Sequence, residues 1–371
     1  MCPRAEKCAY SIQSTLLESI ETLKMLGLDD LFNKSVEAVK RDFRCRNLGW
    51  VNRHELWSRV IGSLIGSYFV THDYFFLEQA EECASLSLRC EGINKLPSGF
   101  VNLKNQTRKP LIWTNGTALS DVGGGLPELL ALYHLTGNRT YYRLYDRTIR
   151  HVSKMRSAWT FLTNRRGQRA SDMAGLDALT MSFYRNAAFS DRLLGTPYSA
   201  RILESARSMP RIFGNISQYF SLLDARGALP FRGLETLAAD AAIHYSADGA
   251  LFRPGDDSNN GGLRFNGAPL RGLIWRCWEA GDASARVAVA QAIRMVISAC
   301  QMEFGFSGIK HSNLNQFKFD GVQHTAFISE WMKAGAMLDP AFESLAKSAV
   351  FNERGHLLDW KEVHDNQPLY E

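Results

Sequence analysis

The sequence predicts an all-α fold, a stacked or closed array of helical hairpins, on two observations. The first is a unit that recurs: an amphipathic helix, a short turn carrying Gly or Asp, and a second helix rich in aromatic residues and Ala. It occurs at Tyr68-Phe-Val-Thr-His-Asp-Tyr-Phe-Phe-Leu, at Leu132-Tyr-His-Leu-Thr-Gly-Asn-Arg-Thr-Tyr-Tyr and at Trp275-Arg-Cys-Trp-Glu-Ala-Gly-Asp-Ala-Ser-Ala-Arg. A weaker copy is Met332-Lys-Ala-Gly-Ala-Met-Leu-Asp-Pro-Ala-Phe. A lone hairpin leaves its apolar stripe wet, so repetition implies a stacked or closed array. The second observation is that no low-complexity linker divides the chain, so residues 1–371 read as a single domain.

The elements follow in order. Tyr10 to Arg44 reads as two helices broken at Gly27-Leu-Asp-Asp, with Leu16, Ile20, Leu23 and Leu26, then Leu31, Val36 and Val39, at helical spacing. A third helix spans about Asn52 to Val70 and buries Leu56, Val60, Ile61, Leu64, Ile65 and Tyr68. Its partner runs from about Tyr74 to Cys90. Leu96 to Thr117 is punctuated by Pro, Gly and Asn, which predicts a loop or short hairpin at one mouth of the array. Helix pairs are then expected over Leu126 to Ser157, and a helix capped by Ser171 to about Phe189. Further helices fall at Ser199 to Leu223, Leu229 to Tyr245 and Leu270 to Phe304. Gln323 to Ala336 and Pro340 to Val350 make the last pair, before a polar tail from about residue 359.

Composition excludes several classes of function. The net charge of +5 is scattered and forms no basic stripe, which argues against nucleic acid as a partner. No apolar run reaches the roughly 18 residues needed to cross a bilayer. The start of the chain lacks the apolar stretch of a signal peptide. Seven cysteines, an odd count without a dense framework, fit a reducing compartment, so a cytoplasmic location is expected. Five Asn-x-Ser/Thr triplets, at Asn33, Asn105, Asn115, Asn138 and Asn215, leave a secretory origin open.

Several acids could carry chemistry. Glu55 and Arg59 are four apart on one helix and face the same way. They form either a surface ion pair or an acid at a cavity whose proton affinity the arginine tunes. Glu128 follows Gly123-Gly-Gly-Leu-Pro in a first helical turn, where the dipole favours a carboxylate with or without a function. Asp177 interrupts a stretch of Ala, Gly and Leu, and Glu330 lies within Phe327-Ile-Ser-Glu-Trp-Met. Both surroundings are those of buried acids, which need partners. His324 reads as a structural histidine or as a ligand contact.

The motifs, in shared order and spacing, resemble glycoside hydrolase family 47, the class I α-1,2-mannosidases, from about Ser14 to about Leu358. Leu17-Glu-Ser-Ile-Glu-Thr-Leu-Lys-Met-Leu-Gly-Leu-Asp-Asp-Leu-Phe resembles D-A-L-D-T-L-x-I-M-G-L-x-x-E-F. Glu55-Leu-Trp-Ser-Arg-Val-Ile-Gly-Ser-Leu-Ile-Gly-Ser-Tyr resembles E-x-x-I-R-x-L-G-G-L-L-S-A-Y. Leu96-Pro-Ser-Gly-Phe is similar to T-P-S-G-I-P, and Leu126-Pro-Glu-Leu-Leu-Ala-Leu-Tyr-His-Leu-Thr-Gly-Asn to L-x-L-E-F-x-x-L-S-x-L-T-G-D. The resemblance implies an (α/α)7 barrel closed by a hairpin plug, with the N-terminal helix shortened. It implies that Glu55 is the acid near the scissile oxygen, with Arg59 its partner and Glu128 a pocket carboxylate. Asp177 matches the first acid of D-S-Y-Y-E-Y-L-L-K, although Met181 stands where that motif has its second. Glu330 matches the acid of A-E-T-L-K-Y.

The departures bear on mechanism. The family's base lies in L-R-P-E-x-x-E-S, where this chain has Leu263-Arg-Phe-Asn-Gly-Ala-Pro-Leu-Arg. One alignment puts Asn266 at the base position and another Ala268, and neither accepts a proton from water. Arg264, Asn266 and His324 are therefore candidate substrate-binding residues. The calcium motif F-N-T-E-A-H-P is replaced by Phe351-Asn-Glu-Arg-Gly-His-Leu, in which Glu353 is the only replacement ligand and Arg354 brings positive charge. Pro230 replaces a family cysteine. The resemblance thus implies a barrel that keeps its acid side and has lost its base and calcium. The expected activity is calcium-independent acid catalysis (dehydration, cyclisation or isomerisation) on a small-molecule or glycan substrate. A residual α-mannosidase, using Asp256 or Asp257 as base, and a non-catalytic mannoside-binding lectin are the alternatives.

Overall fold

In a computed structural model the protein is described over residues 14–91, 97, 99–109, 119–153, 186–187, 189–196, 198, 274, 277–278, 281–313, 316–319 and 321–359. The expected helices within 199–245, the loop at Asp256-Asp257, and Asp177, Arg264, Asn266 and Ala268 lie outside these residues.

Helices α1 (Ser14–Met25) and α2 (Asp29–Asp42) pack as a hairpin around Gly27, whose φ of +67° lets the chain reverse between them. The expected stripe of α1 is corrected. Leu16 and Leu26 are more than a third exposed, and the inward side carries Leu17, Ile20, Glu18 and Glu21. The helix is turned by its two acids, which reach partners in the interior. Leu31 of α2 is likewise exposed, while Val39 is fully buried.

A short strand β1 (Trp50–Asn52) leads into one long helical run: α3 (Arg53–Glu55), a π-helical turn at Leu56–Ile61, and α4 (Gly62–Thr71). Leu56, Trp57, Ile61, Leu64 and Ile65 of this run are almost completely buried, which marks it as an inner helix enclosed on all sides. Helix α5 (Tyr74–Glu91) packs back on α4 after a left-handed turn at His72. The loop or short hairpin expected from Leu96 to Thr117 holds two strands, β2 (Phe100–Asn102) and β3 (Thr107–Lys109), which pair with each other and join β1 in an antiparallel sheet. Cys45 and Cys83 are joined in a disulfide that ties the turn before β1 to α5. The expectation of uniformly reduced cysteines is thereby corrected.

Helix α6 (Leu119–Gly123) precedes the hairpin of α7 (Leu126–Thr136) and α8 (Arg139–Ser153). Helix α9 (Ala283–Cys300) is capped by Asp282, whose carboxylate accepts from the Ser284 and Ala285 amides at 2.8 and 3.2 Å. Two ribbons follow, β4 (Gln301–Met302) with β5 (Gly305–Phe306) and β6 (Ile309–Asn313) with β7 (Gln316–Phe319). A second π-helical turn, Phe327–Met332, runs into α10 (Lys333–Ala336) and packs on α1. After α11 (Glu343–Ser348) the chain forms a hairpin, β8 (Val350–Phe351) and β9 (Leu357–Asp359), ahead of the polar tail expected from about residue 359. Strand β9 packs against α4 and α7, so this hairpin plugs the space between inner helices.

Glycines set how deeply the plug enters. A side chain at Gly62 would overlap the Asn352 amide, and one at Gly66 would overlap the Glu21 carboxylate. The two positions lie one turn apart on α4, and their missing side chains leave the room that the buried polar groups fill.

Candidate active site

The site begins where β1 becomes α3. The Asn52 side chain caps the helix by accepting from the Glu55 amide at 3.1 Å, which fixes Glu55 in the first turn. Glu55 is 37% exposed and opens onto a cleft lined by Ser14, Glu18, Asn52, Glu55 and Arg59. Arg59 lies in the adjoining π-helical turn, a geometry often found at functional sites. Its Nε is 3.9 Å from Glu55 Oε1 and its Nη1 is 3.7 Å from Glu18 Oε1. Nη1 also donates to Thr325 Oγ1 at 2.9 Å, and Thr325 donates to Glu18 Oε2 at 3.3 Å. The guanidinium is therefore held between an accessible carboxylate and a buried one. The expected Glu55–Arg59 pair is present, at an open cleft.

Behind the cleft lies a buried cluster of acids and cations. Glu18 is 2% exposed. Burial alone would raise its pKa, but His356, Arg59 and Arg354 together hold it below the usual carboxylate value. Glu21 is also buried. Burial is outweighed there by Lys333, which bonds it directly, and by His356, whose Nδ1 is 3.1 Å from Glu21 Oε1, so its pKa is lowered. Lys333 donates in addition to the Gly355 carbonyl at 2.7 Å. These groups join α1, α10 and the turn of the plug.

Asn352 organises that turn. Its Oδ1 accepts from the Arg354 and His356 amides at 2.9 and 3.0 Å, and its Nδ2 donates to the Ser58 carbonyl at 2.6 Å and Glu128 Oε1 at 2.9 Å. Glu128 is placed by a clamp on the segment before α7. The buried Arg53 donates to the carbonyls of Asp121 and Gly124 at 2.7 and 2.5 Å. Gly125, at φ +89°, sits where a Cβ would lie 2.6 Å from the Trp57 ring. Burial pushes Glu128 up to about 7 despite its bond from Asn352, with the Glu353 charge adding to the rise.

Glu353 is 3% exposed and pairs with His54 Nε2. Burial alone would lower the His54 pKa, but the Glu353 carboxylate more than offsets it and the net shift is upward. Glu330, in the second π-helical turn, is buried with Oε1 3.9 Å from Arg354 Nη1. The structure thus brings Glu55 and Arg59 to the cleft and places Glu128 and Glu330 in the cluster behind it. His324 is half-buried beside Thr325, the residue that holds Arg59. Sequence reasoning did not single out Glu18, Glu21, His54, Lys333 or His356. The available signal was Glu18 and Glu21 three apart and interleaved with Leu17 and Ile20, acids on an apolar face.

Comparison with known proteins agrees with this architecture. The family model for glycosyl hydrolase family 47 matches residues 3–205, more than half of the chain, and the protein belongs to that family. It is similar to mannosyl-oligosaccharide 1,2-alpha-mannosidase MNS1 of Arabidopsis thaliana, at 28% identity over 38% of this chain and 26% of that one. It is also similar to mannosyl-oligosaccharide 1,2-alpha-mannosidase IB of Mus musculus, at 22% identity over 93% of this chain. That alignment takes in 62% of the mouse protein, so the chain spans less than two thirds of these relatives. Among solved structures, alpha-1,2-mannosidase from Trichoderma reesei superposes with a TM-score of 0.71 at 16% identity, over 94% of this chain and 90% of that one. The fold is the all-α (α/α)7 barrel of the family.

Proposed function

We propose that this barrel is an acid catalyst that works without calcium, with Glu55 giving a proton to an oxygen of a mannoside or of a comparably hydroxylated small molecule. The carrying observation is the contrast between Glu55, accessible beside Arg59, and the buried carboxylates behind it, each engaged by a group of the chain itself. The mannoside class follows the relatives, which are named as mannosyl-oligosaccharide mannosidases.

The family's calcium does not fit the residues present. Glu353, the one replacement ligand, is taken up by the imidazole of His54. Arg354 brings a guanidinium to Glu330, and its charge helps hold the Glu18 pKa down. A divalent ion added there would compete for these carboxylates with the arginine and histidine that already pair with them and would be repelled by their charge.

In the reaction that Glu55 supports, its carboxyl protonates an oxygen, the C–O bond breaks, and the oxygen leaves as a hydroxyl compound or water. In a dehydration, the proton lost from the neighbouring carbon returns to the Glu55 carboxylate, and one water is released in sum. With Asn266 or Ala268 at the base position, hydrolysis lacks the group that activates water, a loss of about 10²–10⁴-fold. Incubation with α-1,2-mannobiose, with and without a calcium chelator, tests the reading. Turnover or product formation indifferent to chelation and abolished in Glu55→Gln supports it. Turnover that requires calcium, or that survives Glu55→Gln, overturns it.

A further inference from the structure

We propose that the outer face of the three-stranded sheet is a second sugar-binding subsite, continuous with the Glu55 cleft, that takes the non-reacting rings of an oligomannoside. The proposal rests on the mannoside reading above. The register pairs Trp50 with Asn102, Asn52 with Phe100, Phe100 with Lys109 and Asn102 with Thr107. Side chains alternate across a strand, so these six residues share one face, on which Asn102 is buried and Asn52 and Phe100 are half-buried, while Val51 and Val101, both buried, take the other. Trp50 on the shared face is 43% exposed, and Thr107 and Lys109 are exposed beside it.

Composition and placement identify the occupant. Lys109 Nζ lies 4.5 Å from the Trp50 ring centroid and 5.2 Å from that of Phe100, so one ammonium holds two aromatic rings on the face. A sugar offers the complement: C–H groups for an aromatic surface, and hydroxyls for the ammonium and for Thr107. The face is also joined to the cleft. Asn52 lines the cleft and caps the helix of Glu55, and it shares a strand face with Trp50, roughly 7 Å away at two residues of strand rise. A chain of sugars whose reacting end lies at Glu55 would run onto Trp50 and Lys109. A lone disaccharide would end short of them.

The test is calorimetric titration of wild type, Trp50→Ala and Lys109→Ala with α-1,2-mannobiose and with a linear α-1,2-mannotetraose. Wild type is expected to bind the tetraose more tightly. The ratio of the two affinities should fall about fivefold to tenfold in Trp50→Ala, as expected for one aromatic contact. It should fall in the same direction in Lys109→Ala, which checks the face with no aromatic ring removed. If mannobiose binds and the ratio is the same in all three proteins, the face is no subsite and the Glu55 reading stands. If wild type binds neither sugar, the mannoside reading fails and the subsite fails with it.

Discussion

At the scale of single residues, the site divides its charges between use and support. Glu55 keeps solvent access and one arginine. Lys333, by contrast, is 2% exposed and joins Glu21 to the carbonyl of Gly355. Removing one partner of a buried pair leaves the other charge uncompensated, so Lys333→Met should destabilise the fold by about 3–5 kcal/mol in chemical denaturation. Adding Glu21→Gln should recover part of that loss, and strict additivity of the two changes would show that the pair is not coupled. Legibility at this scale was uneven. Glu55 and Arg59 were readable because a helical spacing of four puts them side by side. Lys333 and His356 were not, because their partner Glu21 lies more than 300 residues away in sequence. Spacing rules carry no information about contacts closed by the fold.

At the scale of elements, the repeated hairpin was the legible part. The turns at Gly27, His72 and Gly137 fall where the pattern of helices and breaks put them. The strands were legible only in part. The stretch holding β2 and β3 was read as a loop or short hairpin and the strand β1 was not read, because strands of three residues are too short for an alternating pattern to stand out. A closing hairpin plug was expected from the family resemblance, but the burial of its polar residues Asn352, Glu353 and His356 was not legible, because their partners Glu128, His54 and Glu21 lie far away in sequence. The fit of α1 against α4, where Glu21 meets the plug's His356, gives a further prediction. Gly66→Ala would force a methyl group into the Glu21 carboxylate, which Lys333 and His356 hold in place, and should cost about 1–3 kcal/mol as overpacking does. Ala at Gly49, where the space is open, serves as the control. Equal stability of the two variants in denaturant would contradict this account of the plug.

At the scale of the whole molecule, the buried cluster sets a pH range for the barrel. Glu18 and Glu21 have folded pKa values below their ordinary 4.5, so their contribution is present above that value and is lost as pH falls through the lower ones. His54 and His356 have folded values above their ordinary 6.5, so their contribution is full below 6.5 and is lost as pH rises through the higher ones. Glu128 works in the same direction as the histidines. It holds a proton in the fold up to about 7, so the unfolded chain gains as pH climbs from 4.5 to 7. Thermal stability should therefore be greatest near pH 4.5, decline gradually as Glu128 loses its advantage up to about 7, and fall further above 6.5 as the histidines lose theirs. A melting temperature that keeps rising from pH 6 to 8 would contradict the assignment of these groups.

We propose that the chain's own cations, Arg354 and His54 foremost, stand in for the family's calcium, a reading that rests on their pairing with Glu330 and Glu353. It is tested most directly by calorimetric titration of calcium into chelator-stripped protein at neutral pH. The account predicts no binding heat and no rise in melting temperature. A single tight site, with the melting temperature rising as calcium is added, would contradict it and would make Glu353 a metal ligand.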